Sequence, residues 1–237
     1  MYFSRGKRKL GYDSLQELSG LFVGEKIPED MNKHAVDRYL DFPRYLGAAA
    51  DEAEFIFPRN HEAETTGQML LDKYNLKDKN FIVINPIAYW ETKLWDDDNF
   101  ARLADLIKDN LKMNVVFTGS EKESIEKITS GMTTYGINLG GQTSLSELAH
   151  LYKKARFVIT TDSGPMHLAA AVGTPVIALF GPTDPARTGP YGEGHTIVRT
   201  QLPCSPCFLK KCPTKKCMKE IFPEQVFAVV KNKLTKG

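Results

Sequence analysis

Phe157-Val158-Ile159-Thr160-Thr161-Asp162-Ser163-Gly164-Pro165-Met166-His167-Leu168-Ala169-Ala170-Ala171 is an apolar run that stops at a polar turn and resumes as a small-residue helix. A short run of this kind, apolar on both faces, reads as a strand of a parallel sheet. The helix then opens at the strand's carboxyl end. The first turn of a helix leaves backbone N–H groups without partners, and the positive end of its dipole points the same way. That combination favours an anion. Asp162 and His167 stand beside it. A well-capped helix explains the same residues, because Asp or Ser before an apolar helix is ordinary N-capping.

The surrounding sequence weighs between these readings. Gly173-Thr174-Pro175-Val176-Ile177-Ala178-Leu179-Phe180 gives the next strand, and Gly181-Pro182-Thr183-Asp184 is a second polar turn at the same sheet edge. Two neighbouring polar turns open on one crevice, which a plain turn does not explain. Upstream, Phe81–Asn85 and Asn114–Thr118 are further buried strands, and Ile137–Leu139 is a short third one. Apolar residues at Phe100, Leu103, Leu106 and Ile107 mark a helix over Asn99–Leu111. Helices are also expected over Glu121–Thr129, Pro165–Val172 and Pro223–Lys233. Thr143-Ser144-Leu145-Ser146-Glu147 has the form of a capping box opening a helix over Ser144–Lys154. Arg156–Thr160, Pro175–Phe180 and His195–Val198 complete the strand set. Strands alternating with helices predict an α/β fold with a doubly wound parallel sheet. Ligands of such sheets bind beyond the carboxyl ends of the strands.

Residues 1–60 read differently. Lys9–Tyr12 and Leu21–Val23 are weak strand candidates, and an amphipathic helix runs over Asn32–Tyr45. This is too little for a sheet with its own core. The organisation expected is therefore a remnant domain with a connecting helix over 1–60 and a Rossmann-like domain over 61–237.

Composition is that of a globular chain: 237 residues, 42% hydrophobic, 25% charged, net charge +2. Nothing in it calls for nucleic acid. No apolar run reaches the ~20 residues of a membrane span. The basic start is followed by no apolar stretch, so it is no secretory signal, and the cytoplasm is the expected compartment. The glycines of Gly189-Pro190-Tyr191-Gly192-Glu193-Gly194 have the wrong order for a dinucleotide fingerprint, and no GxxxxGK[ST] is present. Both absences disfavour an ordinary NAD enzyme or nucleotide hydrolase.

Further polar segments and one cysteine cluster remain. Lys93, in Thr92-Lys93-Leu94-Trp95 after the first domain strand, can reach the crevice as a point charge for a diphosphate. The bland reading is a solvated lysine. Thr118-Gly119-Ser120-Glu121 can touch a ribose or phosphate, or simply start a helix. Cys204-x2-Cys207-x4-Cys212-x4-Cys217 places four thiols in fourteen residues. That number suits tetrahedral zinc, while Pro203, Pro206 and Pro213 and the lack of a knuckle's glycines suit a compact loop of reduced thiols. Lys210, Lys211, Lys215 and Lys216 form a solvated face there, or one that meets an anionic acceptor or membrane surface.

Taken together, the ordered motifs Asn85-Pro86, Thr92-Lys93-x-Trp95, Thr118-Gly119-Ser120, Asp162-Ser163-Gly164-x-x-His167, Gly173-Thr174-Pro175, Phe180-Gly181-Pro182-Thr183-Asp184 and Cys204-x-Pro206-Cys207 resemble the lipopolysaccharide heptosyltransferases, glycosyltransferase family 9. His34-Ala35-Val36-Asp37-Arg38 resembles the segment joining that family's two domains. The resemblance covers nearly the whole chain and is most specific over 156–192. It implies a GT-B architecture, with a C-terminal domain that binds a nucleotide sugar, typically ADP-heptose, and an N-terminal domain that binds the lipopolysaccharide inner core. It implies inverting transfer, no cofactor, and a general base on the N-terminal domain. Carried over by position, Thr92, Lys93, Ser120, Glu121, Thr143, Thr161, Asp162, Ser163, Gly164 and His167 are the nucleotide-sugar-binding set, with Lys93 on the diphosphate. The implied place of work is the inner face of the cytoplasmic membrane.

Residues 1–30 lack the family's opening strand, glycine-rich turn and acidic residue. Two Rossmann-like halves of ~150 residues would need about 300. The expectation is a truncated or split heptosyltransferase, inactive alone or completed by a partner chain. A nucleotide-sugar-binding remnant without catalysis and a nucleotide-sugar epimerase are the competing readings.

Overall fold

The computed structural model describes residues 6–14 and 17–235. The chain divides into two compact units: Met1–Phe55 with Ala186–Thr188, and Ile56–Pro185 with Gly189–Gly237.

In the first unit, β1 (Leu10–Tyr12) pairs in parallel with β2 (Glu25–Ile27). The strand expected over Leu21–Val23 is not there. Leu21 and Phe22 close a 3-10 turn, Glu17–Phe22, and both are exposed, Leu21 at 76%. Pairing begins only where Gly24 and Glu25 donate to the Lys9 carbonyl, at 2.9 and 3.0 Å. α1 (Ala35–Tyr45) follows, three residues shorter at its start than the sequence pattern suggests. His34 sets that start, its Nδ1 accepting from the Val36 N–H at 3.2 Å. Arg38, on the next turn, pairs with Glu29.

The second unit opens with α2 (His61–Lys73), then β3 (Phe81–Asn85), α3 (Asp97–Leu111), β4 (Asn114–Phe117), α4 (Lys122–Ser130), β5 (Ile137–Asn138) and α5 (Leu145–Lys154). It continues with β6 (Val158–Thr161), α6 (Gly164–Ala171), β7 (Val176–Phe180), α7 (Pro185–Thr188, shared with the first unit), β8 (Thr196–Arg199), α8 (Lys216–Lys219) and α9 (Pro223–Thr235). The six strands β3 to β8 form one parallel sheet in the order β5-β4-β3-β6-β7-β8. This is the α/β, Rossmann-like sheet expected from the alternation.

Both faces of the sheet are covered, and the period of two along β3 shows how. Ile82 and Ile84 face one core with Phe100, Leu103 and Ile107 of α3 and Val226 and Val230 of α9. Phe81 and Val83 face the other with Leu71 of α2, Tyr152 of α5 and Met166 and Ala169 of α6. All four β3 residues are fully buried, so alternation sorts them between two cores rather than between core and water.

The capping box of α5 is made as its sequence signalled. The Ser144 hydroxyl accepts from the Glu147 N–H at 3.4 Å, and the Ser144 N–H donates to the Glu147 carboxylate at 2.6 Å. Helix α2 has no counterpart in the sequence pattern. Thr65, Thr66 and Gly67 interrupt its stripe, and it is held by packing on α5.

Candidate functional site

The strand order reverses between β3 and β6. Successive units run outward in one direction from β3 and in the other from β6, so the loops leaving these two neighbours diverge and leave a crevice at their carboxyl ends. The loop after β3 carries Lys93. The turn after β6 carries Asp162. Lys93 Nζ lies 2.7 Å from Asp162 Oδ2, so the pair spans the crevice at the switch point. Both side chains are largely withdrawn from water, at 16% and 6% exposure.

Two further groups fix this pair. The Thr183 hydroxyl, on the turn after β7, donates to Asp162 Oδ2 at 2.6 Å. The Trp90 ring lies under the Lys93 ammonium, 4.5 Å from its centroid, with the Lys210 ammonium 5.3 Å from the same centroid. Because Asp162 is turned toward Lys93 and Thr183, it does not cap α6. Ser163 occupies the N-cap position without a side-chain capping bond, and its hydroxyl faces the Thr161 carbonyl and the Thr160 hydroxyl, each at 3.3 Å. The helix-capping explanation of Asp162-Ser163 therefore fails. The α6 N-terminus opens at exposed Gly164, where an added Cβ would meet nothing within 4 Å.

The other sequence-derived positions fall in three places. Thr161 is buried at the end of β6, its hydroxyl 3.5 Å from the Ile87 carbonyl, and His167 is exposed one turn into α6. Thr92 is 1% exposed and donates to the Leu209 carbonyl at 2.7 Å, tying the Lys93 loop to the cysteine segment. Exposed Ser120 and Glu121 follow β4, and half-buried Thr143 precedes the α5 cap; both turns stand on the β4–β5 side of the sheet. The structure thus brings Lys93 and Asp162 into contact, with Ser163 and Gly164 on the same turn, and leaves Ser120, Glu121 and Thr143 on turns farther along the sheet edge.

Thr183 and Trp90 are not among the sequence-derived positions. Thr183 had a signal in the polar turn Gly181–Asp184. Trp90 had none, since its role depends on a 3-10 turn, Glu91–Lys93, that folds Lys93 back over it.

The four cysteines are free thiols, with Cys204 exposed, Cys207 and Cys212 half-buried and Cys217 buried. Among the described residues, no three His, Cys, Asp or Glu side chains are grouped to hold a metal. The loop that bears the thiols instead braces the crevice. Cys207 and Phe208 donate to the Pro182 carbonyl at 2.9 and 2.8 Å, and the Ser205 hydroxyl donates to that of Gly181 at 2.6 Å. Among the described residues no helix is long and apolar enough to cross a membrane.

A six-stranded parallel sheet ordered outward from a switch point, with helices on both faces, defines a Rossmann-like α/β domain. Residues 1–218 match the model of glycosyltransferase family 9 (heptosyltransferase). The chain belongs to this family. A lipopolysaccharide core heptosyltransferase of Haemophilus influenzae is 30% identical over 200 residues, 82% of this chain and 56% of the relative. The chain spans about half the length of the curated relatives it matches. Among solved structures, a family 9 glycosyltransferase of Veillonella parvula superposes with a TM-score of 0.77 at 24% identity, over 92% of this chain and 64% of that one. An Escherichia coli heptosyltransferase solved with ADP superposes with a TM-score of 0.69 at 21% identity, over 94% of this chain and 65% of that one. Such neighbours share the GT-B type fold expected from the sequence resemblance.

Proposed function

We propose that this chain binds an ADP-sugar at the β3–β6 switch point and serves heptosyl transfer to a lipopolysaccharide core. The observation that carries the reading is the Lys93–Asp162 pair beside the open start of α6. An ammonium has three donors. One is committed to Asp162, which leaves the others for the diphosphate oxygens. As the sugar–phosphate bond breaks, negative charge grows on the departing diphosphate. A lysine already fixed by Asp162 and Trp90, together with the helix dipole, stabilises that charge without reorganising. Ser163, Gly164 and His167 border the same opening and are assigned to the phosphates and sugar. Ser120, Glu121 and Thr143 are assigned to the more distant end of the donor.

Membership in family 9, and the ADP in one of the superposed heptosyltransferases, support the choice of donor. Calorimetry with ADP tests the site. Saturable binding that Lys93→Ala weakens sustains the reading, whereas absent binding, or binding indifferent to that substitution, removes it. Because the chain spans about half the length of the matched relatives, transfer is tested separately, with ADP-heptose and a lipopolysaccharide core acceptor. Binding without turnover identifies a nucleotide-sugar-binding chain, and epimerised ADP-heptose in the absence of acceptor identifies an epimerase.

A further inference from the structure

The second unit has another cavity, at the opposite edge of the sheet. It measures about 700 Å³ and lies where the strands begin, under α9. Small-molecule sites span ~300–1,000 Å³. Strands of four or five residues put it ~15 Å from the carboxyl-edge crevice. Its wall is of two kinds. Phe157, Pro175 and Val229 are apolar. Lys79, Arg156 and Lys233 are cationic, and among the described residues no carboxylate lines the space.

The three cations differ in what they already do. Lys79 Nζ donates to the Lys153 and Ala155 carbonyls at 2.6 and 3.1 Å, and Lys233 Nζ donates to that of Gly194. These are helix-end and loop tethers, and they account for both lysines in structural terms. They do not account for Arg156. It is half-buried just before β6 and makes no ion pair or side-chain hydrogen bond among the described residues. Its five donors face a wall that holds no carboxylate among the described residues. Its charge also bears on Lys79, which burial holds below the ordinary lysine value, with Asp78 opposing and Lys154 and Arg156 adding to the depression. Like charges gathered around a partly dehydrated hollow are unfavourable unless something negative enters it.

We infer that this cavity binds an amphipathic anion, its acidic head on Arg156 between the tethered Lys79 and Lys233 and its apolar body on Phe157, Pro175 and Val229. A fork of N–H donors suits a phosphate or carboxylate head bidentately. The head belongs either to a lipid or to a soluble phosphate ester. The site is independent of the donor crevice, so it stands or falls apart from the proposed transferase function.

The test is calorimetry of the full chain with dodecyl phosphate below its micelle concentration. Saturable binding is expected, weakened at least about ten-fold in Arg156→Ala. Dodecyl maltoside, with the same chain and a neutral head, should bind at least about ten-fold more weakly, and saturating ADP should not compete. In the wild-type chain, where no substitution can disturb folding, the amide resonances of Gly173 and Gly194 should shift on titration while those of Gly164 and Gly181 stay in place. Flotation with phosphatidylglycerol vesicles that depends on Arg156 identifies a lipid source, and competition by inorganic phosphate alone identifies a soluble one. No saturable binding, equal affinity for the neutral head, displacement by ADP, or shifts at Gly164 and Gly181 instead would each overturn the inference.

Discussion

Lys93 and Asp162 are 69 residues apart in sequence and 2.7 Å apart in space, one on each side of the point where the strand order reverses. The pair is better understood as a clamp on Lys93 than as a source of stability. Ion pairs withdrawn from water largely repay their own desolvation, but losing one partner strands the other. Lys93→Ala should therefore weaken ADP binding about ten- to a hundred-fold. It should also lower stability by about 2 kcal/mol, since Asp162 keeps Thr183 as a donor. Calorimetry and denaturant titration read the two effects separately. Unchanged stability with lost binding would mean that Asp162 is hydrated in solution.

Thr183→Val removes one hydroxyl from a site 4% exposed and keeps its shape. The carboxylate then depends on Lys93 alone. A loss of about 1–2 kcal/mol is expected, with a smaller fall in ADP affinity than Lys93→Ala causes. Thr183→Ser should restore both. If valine and serine behave alike, the hydroxyl has no part in holding Asp162.

Much of this is legible in the sequence because the decisive signals are local. Phe81–Asn85 and Val176–Phe180 are unbroken apolar runs, and they are buried strands. Boundaries differ by one to three residues where a cap decides them, as at α3, which starts at Asp97 after an N-cap at Asp96 rather than at Asn99. The strand order that creates the crevice has no local signal. The same holds for Thr183 meeting Asp162 across two turns, for Trp90 under Lys93, and for α2. Leu21–Val23 misleads because hydrophobicity is not burial: Val23 is buried, but Leu21 is 76% exposed.

Gly67 shows why α2 is hard to read from sequence. Glycine inside a helix ordinarily costs about 1 kcal/mol relative to alanine. Here a Cβ would stand 2.9 Å from His150 Cδ2 and 3.4 Å from its Cβ, where α2 crosses α5. Gly67→Ala should thus destabilise by about 1–3 kcal/mol instead of stabilising. A rise in melting temperature would show that His150 can yield.

Asp105 accepts four hydrogen bonds, from the Thr133 and Thr134 N–H groups and hydroxyls, at 2.7–2.9 Å. Burial pushes its carboxyl up, and the four donors outweigh that and hold it below the ordinary aspartate range. The unfolded chain then binds the proton more tightly. The stabilisation is complete above the unfolded value of about 3.9 and is lost as pH falls through the lower folded value. Asp105→Asn should cost about 2 kcal/mol near neutrality, because an amide faces four donors with one acceptor oxygen. The gap between variant and wild type should close in acid. A gap that persists at the lowest pH where the chain still folds would assign the loss to packing.

His195 sets a second, separate acid response. Its Nδ1 accepts from the Val176 N–H at 3.2 Å at the start of β7, and its Nε2 faces the Tyr191 carbonyl at 3.2 Å. Only the neutral ring protonated at Nε2 satisfies both partners. Protonation would set a hydrogen on Nδ1 against the Val176 N–H, at a fully buried residue. Burial accordingly depresses the imidazole pKa; the Tyr191 carbonyl opposes this and Lys233 adds to it. With the folded value below the unfolded value of about 6.5, the unfolded chain binds more protons between the two. Stability should therefore fall as pH drops from about 6.5 through the folded value, by at most about 1.4 kcal/mol per pH unit for one proton. His195→Gln retains an acceptor and a donor without the titration. Its stability should change less than that of the wild type between about pH 7.5 and about pH 5.5. Parallel pH profiles for the two proteins would mean that His195 takes up its proton as readily in the folded as in the unfolded chain, and that the Val176 N–H does not oppose it.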